Sequence, residues 1–282
     1  MASQAENSQF DLLHSPVRQS KMSEKLTFID KKGTAMNNYR MIVQYDGTRY
    51  NGWQKQGDTD NTIQCKLETI LERMTGERAE IHGAGRTDAG VHAKGQVAQF
   101  RLNTDLSPTD IRDYFNTYLP DDIGVLSVSC AAPRFHSRYN ASEKYYLYRI
   151  GKNKAALVFE RKYVSEWRGA PLDTAAMKLA AQKLTGTHDF RSFCGNPHMN
   201  KSTVRTIYSI RIEENENEID LGFVGDGFLQ YMVRILVGTL IEVGEGRRDP
   251  DSMDELVAAR SRRLAGPTAA AKGLTLMEVR YN

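Results

Sequence analysis

Asp88 stands in Gly83-Ala84-Gly85-Arg86-Thr87-Asp88-Ala89-Gly90-Val91-His92-Ala93, a lone carboxylate among small residues with an arginine and a histidine nearby. Small residues let the backbone of another molecule approach, and a carboxylate held among them is better placed for chemistry than for packing. Asp88 is therefore the first candidate for a catalytic group. The same residues are compatible with an ordinary glycine-rich loop in which Asp88 bonds its own backbone. A dinucleotide fingerprint is excluded, because Asp88 stands where that motif needs glycine or alanine, and no Gly-Lys-Ser/Thr follows to make a phosphate loop. His82 precedes the segment and His92 lies near its end; each could assist the chemistry or simply fix the loop.

Arg234 lies in Phe228-Leu229-Gln230-Tyr231-Met232-Val233-Arg234-Ile235-Leu236-Val237, an otherwise mostly apolar stretch. A guanidinium carried into a buried helix needs a partner, since an unpaired buried charge costs several kcal/mol in rough terms. An acidic site residue would supply one; a long stem reaching solvent from the helix edge is the competing reading. Between Arg134 and Trp167 the chain carries Arg134, Arg138, Lys144, Arg149, Lys152, Lys154, Arg161 and Lys162 against Glu143, Glu160 and Glu166. Tyr139, Tyr145, Tyr146, Tyr148 and Phe159 are interleaved with them. Cations that neutralise phosphates, mixed with rings that stack on bases, suit a nucleic-acid surface. A strand pair whose aromatics face a core reads equally well from this window alone.

The elements that must position these residues follow from periodicity. Alternation over Tyr39, Met41, Val43 and Tyr45 predicts a strand, and Ile63, Leu67, Ile70, Leu71 and Met74 recur at helical spacing between a cap at Asn61 or Thr62 and Gly76. Short strands are predicted near residues 79–82 and 96–101. A helix opens at Ser107-Pro108 and stops at Pro120, and a strand spans 123–130. The second half repeats this order: a strand at 144–150, a helix at 173–184, a hairpin of 203–213 with 218–224, helices at 228–243 and 251–263, and a last strand at 274–280. Strand, helix, strand, strand, helix, strand is the ferredoxin-like arrangement, so the predicted fold is α+β with two such units and antiparallel sheets. Helices on one face of each sheet would leave the other available to a ligand, as in RNA-recognition modules.

With 282 residues, 40% hydrophobic and 26% charged, the chain has the composition of an ordinary globular protein of one large or two small domains. The longest apolar run, from Leu229 to Val243, is broken by Gln230, Arg234 and Glu242, and it is too short and too charged to span a bilayer. No apolar core near the N-terminus suits a secretion signal, so a cytoplasmic location is expected. Cys65, Cys130 and Cys194 form no Cys-x-x-Cys pair, and the spacing of His188, Cys194 and His198 fits no common zinc pattern; no metal is expected. The net charge of +3 is too small to identify a partner by itself.

Several motifs together resemble the TruA-type tRNA pseudouridine synthases. They are Tyr45-Asp46-Gly47-Thr48 with Gly52-Trp53-Gln54, Gly85 to Ala93, Lys144-Tyr145-Tyr146-Leu147-Tyr148, Gly186-Thr187-His188-Asp189-Phe190, Met232-Val233-Arg234 with Gly238, and Ala265-Gly266-Pro267-Thr268-Ala269 with Lys272-Gly273-Leu274. The resemblance runs from about Tyr39 to the end. It implies a cleft between the two ferredoxin-like units in which Asp88 is the catalytic aspartate, Tyr146 stacks on the target base, Arg234 pairs with Asp88, and Arg86 helps hold the nucleotide out of its stack. Lys144 and Arg205 are expected to bind RNA by touching phosphate. It also implies a homodimer acting on uridines at the 3′ side of the anticodon stem and loop of tRNA, with no cofactor and no membrane. A catalytically silent tandem RNA-binding protein or tRNA chaperone is the alternative. A hydrolase built on Asp88 would need a metal or second acid that the residues near the motif do not offer. The expected organisation is a disordered extension over residues 1–36, an N-terminal half over 37–139 carrying the motif, and a C-terminal half over 140–282.

Overall fold

The computed structural model describes residues 28–29, 35–196 and 198–282. The extension expected over residues 1–36 therefore lies outside the described residues, except for β1 (Phe28–Ile29) and the start of β2 (Ala35–Tyr45), which pair with each other. From β2 the chain enters α1 (Ile63–Thr75), whose first turn is capped by the Thr62 hydroxyl accepting from the Cys65 N–H. Gly76, at φ 75°, closes it in the left-handed conformation that glycine adopts without strain. Next come β3 (His82–Gly83) and β4 (His92–Leu102). Then follow α2 (Pro108–Tyr118), opened by a reciprocal Ser107/Asp110 capping box, and β5 (Ile123–Ala131).

The second half comprises β6 (Ala141–Gly151), β7 (Ser165–Glu166), α3 (Thr174–Lys183), β8 (Gly186–Asp189), β9 (Val204–Glu214), β10 (Glu218–Gly225), α4 (Met232–Gly244), α5 (Met253–Ala258) and β11 (Leu274–Tyr281). Among the described residues, all strands belong to one mostly antiparallel 11-stranded sheet. Its order in the first half is β5-β2-β4-β3, and in the second β11-β6-β10-β9, so corresponding strands occupy corresponding places. The halves meet at a short parallel pairing of β11 with β4, Thr275 opposite His92 and Leu276 opposite Ala93. The last two residues of the Gly83–Ala93 segment are thus the seam of the whole sheet. Tyr39, Met41 and Val43 of β2 share a single core with Tyr148 and Ile150 of β6 and the apolar faces of α1 to α4. Among the described residues, no helix is long and apolar enough to cross a membrane.

Three of the expected elements form differently, and β1, β7 and β8 are strands that the periodicity does not predict. The strand foreseen at 79–82 shrinks to β3, because the Ile81 N–H is taken by the Glu68 carboxylate instead of a strand neighbour. The helix foreseen from Phe228 begins only at Met232, since Tyr231 has φ 60° and a left-handed residue cannot continue a right-handed helix. The helix foreseen at 251–263 breaks into α5 between single 3₁₀ turns, with Arg260 at φ 49° ending it.

Gly238 on α4 allows the segment Ala265–Ala269 to lie directly on the helix. A Cβ at this position would stand 1.8 Å from the Pro267 carbonyl oxygen. Gly238→Ala is therefore expected to destabilise the fold by roughly 3 kcal/mol, outweighing the helix propensity gained, because the obstacle is backbone and not a movable side chain. Thermal unfolding should show a Tm lower by about 6–10 °C; an unchanged Tm would mean that the segment is free to lift away.

Candidate active site

The loop that carries Asp88 is fixed from several directions before its carboxylate does anything. The Ala84 N–H donates to the Val97 carbonyl, the Trp53 N–H to the Thr87 carbonyl, and the Gly90 N–H to the Tyr50 carbonyl. The Gln96 amide donates to the Gly85 carbonyl at 2.8 Å, and the Tyr45 and Thr87 hydroxyls bond at 2.8 Å. Gly83 lies flat on the buried indole of Trp53, where a Cβ would come within 2.6 Å of the ring. Gly90 turns the chain at φ 77° before β4 begins. The loop is thus a rigid mount, and Asp88 projects from it with its side chain 21% exposed.

Arg234 Nη1 lies 3.2 Å from Asp88 Oδ2 and donates to it, while Arg234 Nε donates to the Ala269 carbonyl at 2.7 Å. The guanidinium, 16% exposed, is held as a rigid fork between the acid and a backbone oxygen. That backbone oxygen is placed by the close approach at Gly238 and by the Gly266 N–H donating to the Thr239 hydroxyl. Tyr231 stacks under the guanidinium, whose carbon is 5.3 Å from the ring centre. Burial, the largest influence, pushes the Asp88 carboxyl above its ordinary value, and the Arg234 charge and hydrogen bond pull it back down. The lowering by Arg234 is outweighed by burial.

Tyr146 comes from β6. Its register runs across the sheet as Tyr45, Ala93, Leu276, Tyr146 and Phe223, which puts both tyrosines on the same face. Tyr146 is only 6% exposed, and the Phe228 ring meets it edge-on at 5.2 Å. Burial, then the neighbouring Tyr45 and Asp88, raise the Tyr146 hydroxyl well above its ordinary value, so it stays protonated. Asp88, Arg234, Tyr146, Arg86, Lys144 and Arg205 all line one cleft of about 500 Å³. Arg86 is exposed at its mouth, and the Arg205 guanidinium bonds the carbonyls of Ser202 and Val204. The cleft opens on the helix-covered side of the sheet, at the seam between halves, and not on the open face foreseen as a ligand surface. A second hollow, along α1 between Lys55, Glu68 and Tyr118, is lined by charged side chains of both signs and holds none of the site residues expected from sequence.

The sequence pattern of the tRNA pseudouridine synthase family matches residues 41–140 and 180–282. "tRNA pseudouridine synthase A" of Bacillus sp. (strain KSM-64) is 46% identical over 246 residues, covering 87% of this chain and all of the relative. The chain belongs to the tRNA pseudouridine synthase family. "tRNA pseudouridine synthase A 1" of Clostridium tetani is 45% identical, and "tRNA pseudouridine synthase A" of Brevibacillus brevis 44% identical, over the same share of both chains. The protein is an isomerase of the TruA type.

In this family member, Asp88, Arg234, Tyr146, Arg86, Lys144 and Arg205 converge in one cleft, and others join them. Asn51, Gln54, Arg138, Lys201, Phe228 and Tyr231 also line it. Arg138 lay inside the basic and aromatic window without standing out from its neighbours. Tyr231 was hidden in a stretch that reads as continuous helix, although a non-glycine residue at positive φ marks strain of the sort found at functional sites. The Ala269 carbonyl carries no sequence signal of its own. His82 and His92 do not line the cleft. His82 stacks on His136 at 5.7 Å, and buried His92 accepts from the Gly47 N–H at 3.0 Å.

Proposed function

We propose that the protein converts uridine to pseudouridine in the anticodon stem-loop of tRNA, with Asp88 as nucleophile after the base has been flipped out. The observation that carries this reading is the pairing of Asp88 with Arg234 beside the buried ring of Tyr146 in one cleft. The names of the relatives support tRNA as substrate. A stacked uridine cannot present its glycosidic bond to a protein carboxylate, so it must leave the stack at a cost of a few kcal/mol. Tyr146 replaces the lost stacking, Arg86 holds the displaced strand, and Lys144 and Arg205 take phosphates. The carboxylate of Asp88 forms a temporary bond to the nucleotide and the N1–C1′ bond breaks. The uracil turns and C1′ bonds to C5; C5 loses its proton, N1 regains one, and Asp88 is released unchanged. The conversion is an isomerisation and consumes no oxidant, reductant or co-substrate.

The same reading takes residues 37–139 and 140–282 as two ferredoxin-like units, supported by the repeated strand order. It takes the enzyme to be a cytoplasmic homodimer, in which two basic faces share one tRNA. Unmodified tRNA transcripts incubated with the protein should acquire pseudouridine at the 3′ side of the anticodon stem and loop, mapped base by base. Conversion elsewhere would overturn the substrate site, and binding without conversion would favour an RNA-binding protein or tRNA chaperone.

The pH dependence has a definite sign. The nucleophile is the ionised carboxylate, and Asp88 is pushed upward by burial, so kcat/KM should fall as pH drops through this raised value. The midpoint of the acid limb is expected above about 4, the ordinary aspartate value. An acid limb centred below it would mean that Asp88 is not the titrating group.

A further inference from the structure

Lys144 is the one cation of the cleft whose position is hard to explain by folding alone. It lies on β6 two residues before Tyr146 and on the same face. Its ammonium reaches the Asp88 loop, where a side chain at Gly85 would stand 3.6 Å from Nζ. Arg138, from the segment before β6, and Arg205, from β9, face the same space. Burial first, then the charges of these two arginines, lower the Lys144 ammonium to about 8, with only Asp226, beyond β10, acting in the opposite sense. Arg86, Asp88, Lys201 and Arg234 complete the charged lining of the cleft, and Tyr146 lines it among further neutral polar residues. Asp88 is already engaged by Arg234. A half-buried ammonium that makes no ion pair among the described residues, gathered with two guanidinium groups, is costly in the free protein and favourable once an anion enters.

We propose that Arg138, Lys144 and Arg205 form a subsite for one backbone phosphodiester beside the target uridine, with Lys144 innermost. The proposal rests on the RNA-modifying reading above and adds to it a linkage between RNA binding and protonation. A phosphodiester is anionic throughout the neutral range and holds Lys144 charged. The free protein has the lower affinity for this proton, so binding takes one up, and RNA affinity is highest below the free-state value and falls as pH rises through it.

Titration of the full chain with unmodified tRNA, in buffers of different ionisation enthalpy, measures the effect. For the native protein the expected result is an uptake of about half a proton per complex at pH 8, and a Kd about tenfold weaker at pH 9 than at pH 7. Lys144→Arg, which stays charged, should bind within a few-fold of native and lose both effects. Uptake that persists in Lys144→Arg, or native affinity that is flat with pH in a preparation that still makes pseudouridine, overturns the subsite alone. A preparation that neither binds nor converts tRNA overturns the reading beneath it as well. Lys144→Met should weaken binding, reduce the dependence of log Kd on log salt by about one, and keep or raise the Tm of the free protein. Weaker binding together with a lower Tm would assign Lys144 a structural role instead.

Discussion

Asp88→Asn is expected to lower kcat for pseudouridine formation by at least about 10⁴-fold while leaving the Kd for tRNA within a few-fold of native. Asparagine preserves the size of the side chain and can still accept from Arg234, so the loop, the cleft and the basic lining persist. On the proposed mechanism what is lost is the carboxylate that makes the transient bond, and among the described residues lining the cleft Asp88 is the only acid; Asp46 bonds Thr48 and Lys162 outside it. Single-turnover kinetics at saturating protein separate the chemical step from binding. Equal losses in affinity and rate would instead assign Asp88 to holding the RNA.

Arg234→Ala is expected to reduce kcat by about 10²–10³-fold, again with little change in tRNA affinity. Arg234 makes two contacts at once, to Asp88 Oδ2 and to the Ala269 carbonyl, so its removal has two consequences. Asp88 is left buried without its counter-charge, and its carboxyl moves further up from a value that burial has already raised. The acid limb of the rate profile should therefore shift to higher pH in the variant, with part of the activity recovered in alkaline buffer. Arg234→Lys should rescue poorly, because a single ammonium cannot reproduce a fork that spans a carboxylate and a carbonyl. Comparable losses in kcat and affinity, with no shift of the acid limb, would count against the role of Arg234 beside Asp88.

Much of the cleft is legible in the residues. Period-two alternation in β2 and the capping residues Thr62 and Ser107 are local signals, and the corresponding elements form where these signals put them. Arg234 was conspicuous because a charge in an apolar helix demands a partner, and its partner is Asp88. The unread parts depend on contacts between distant segments. The parallel seam of β4 and β11 joins residues far apart in the chain, and with its neighbouring pairings it brings Tyr45 and Tyr146 onto one face. The Ala269 carbonyl becomes a ligand of Arg234 only because Gly238 and Gly266 let two backbones touch. The balance at Asp88 was legible only in part: sequence shows that an arginine is near, and burial depends on the assembled fold.

The most direct test is base-resolved mapping of pseudouridine in one unmodified tRNA after a single turnover with saturating native protein or Asp88→Asn, with RNA binding measured in the same samples. The predicted result is conversion of uridine in the anticodon arm by the native protein and none by the variant at equal occupancy. Conversion by Asp88→Asn at a rate near native would contradict the assignment of Asp88 as the nucleophile.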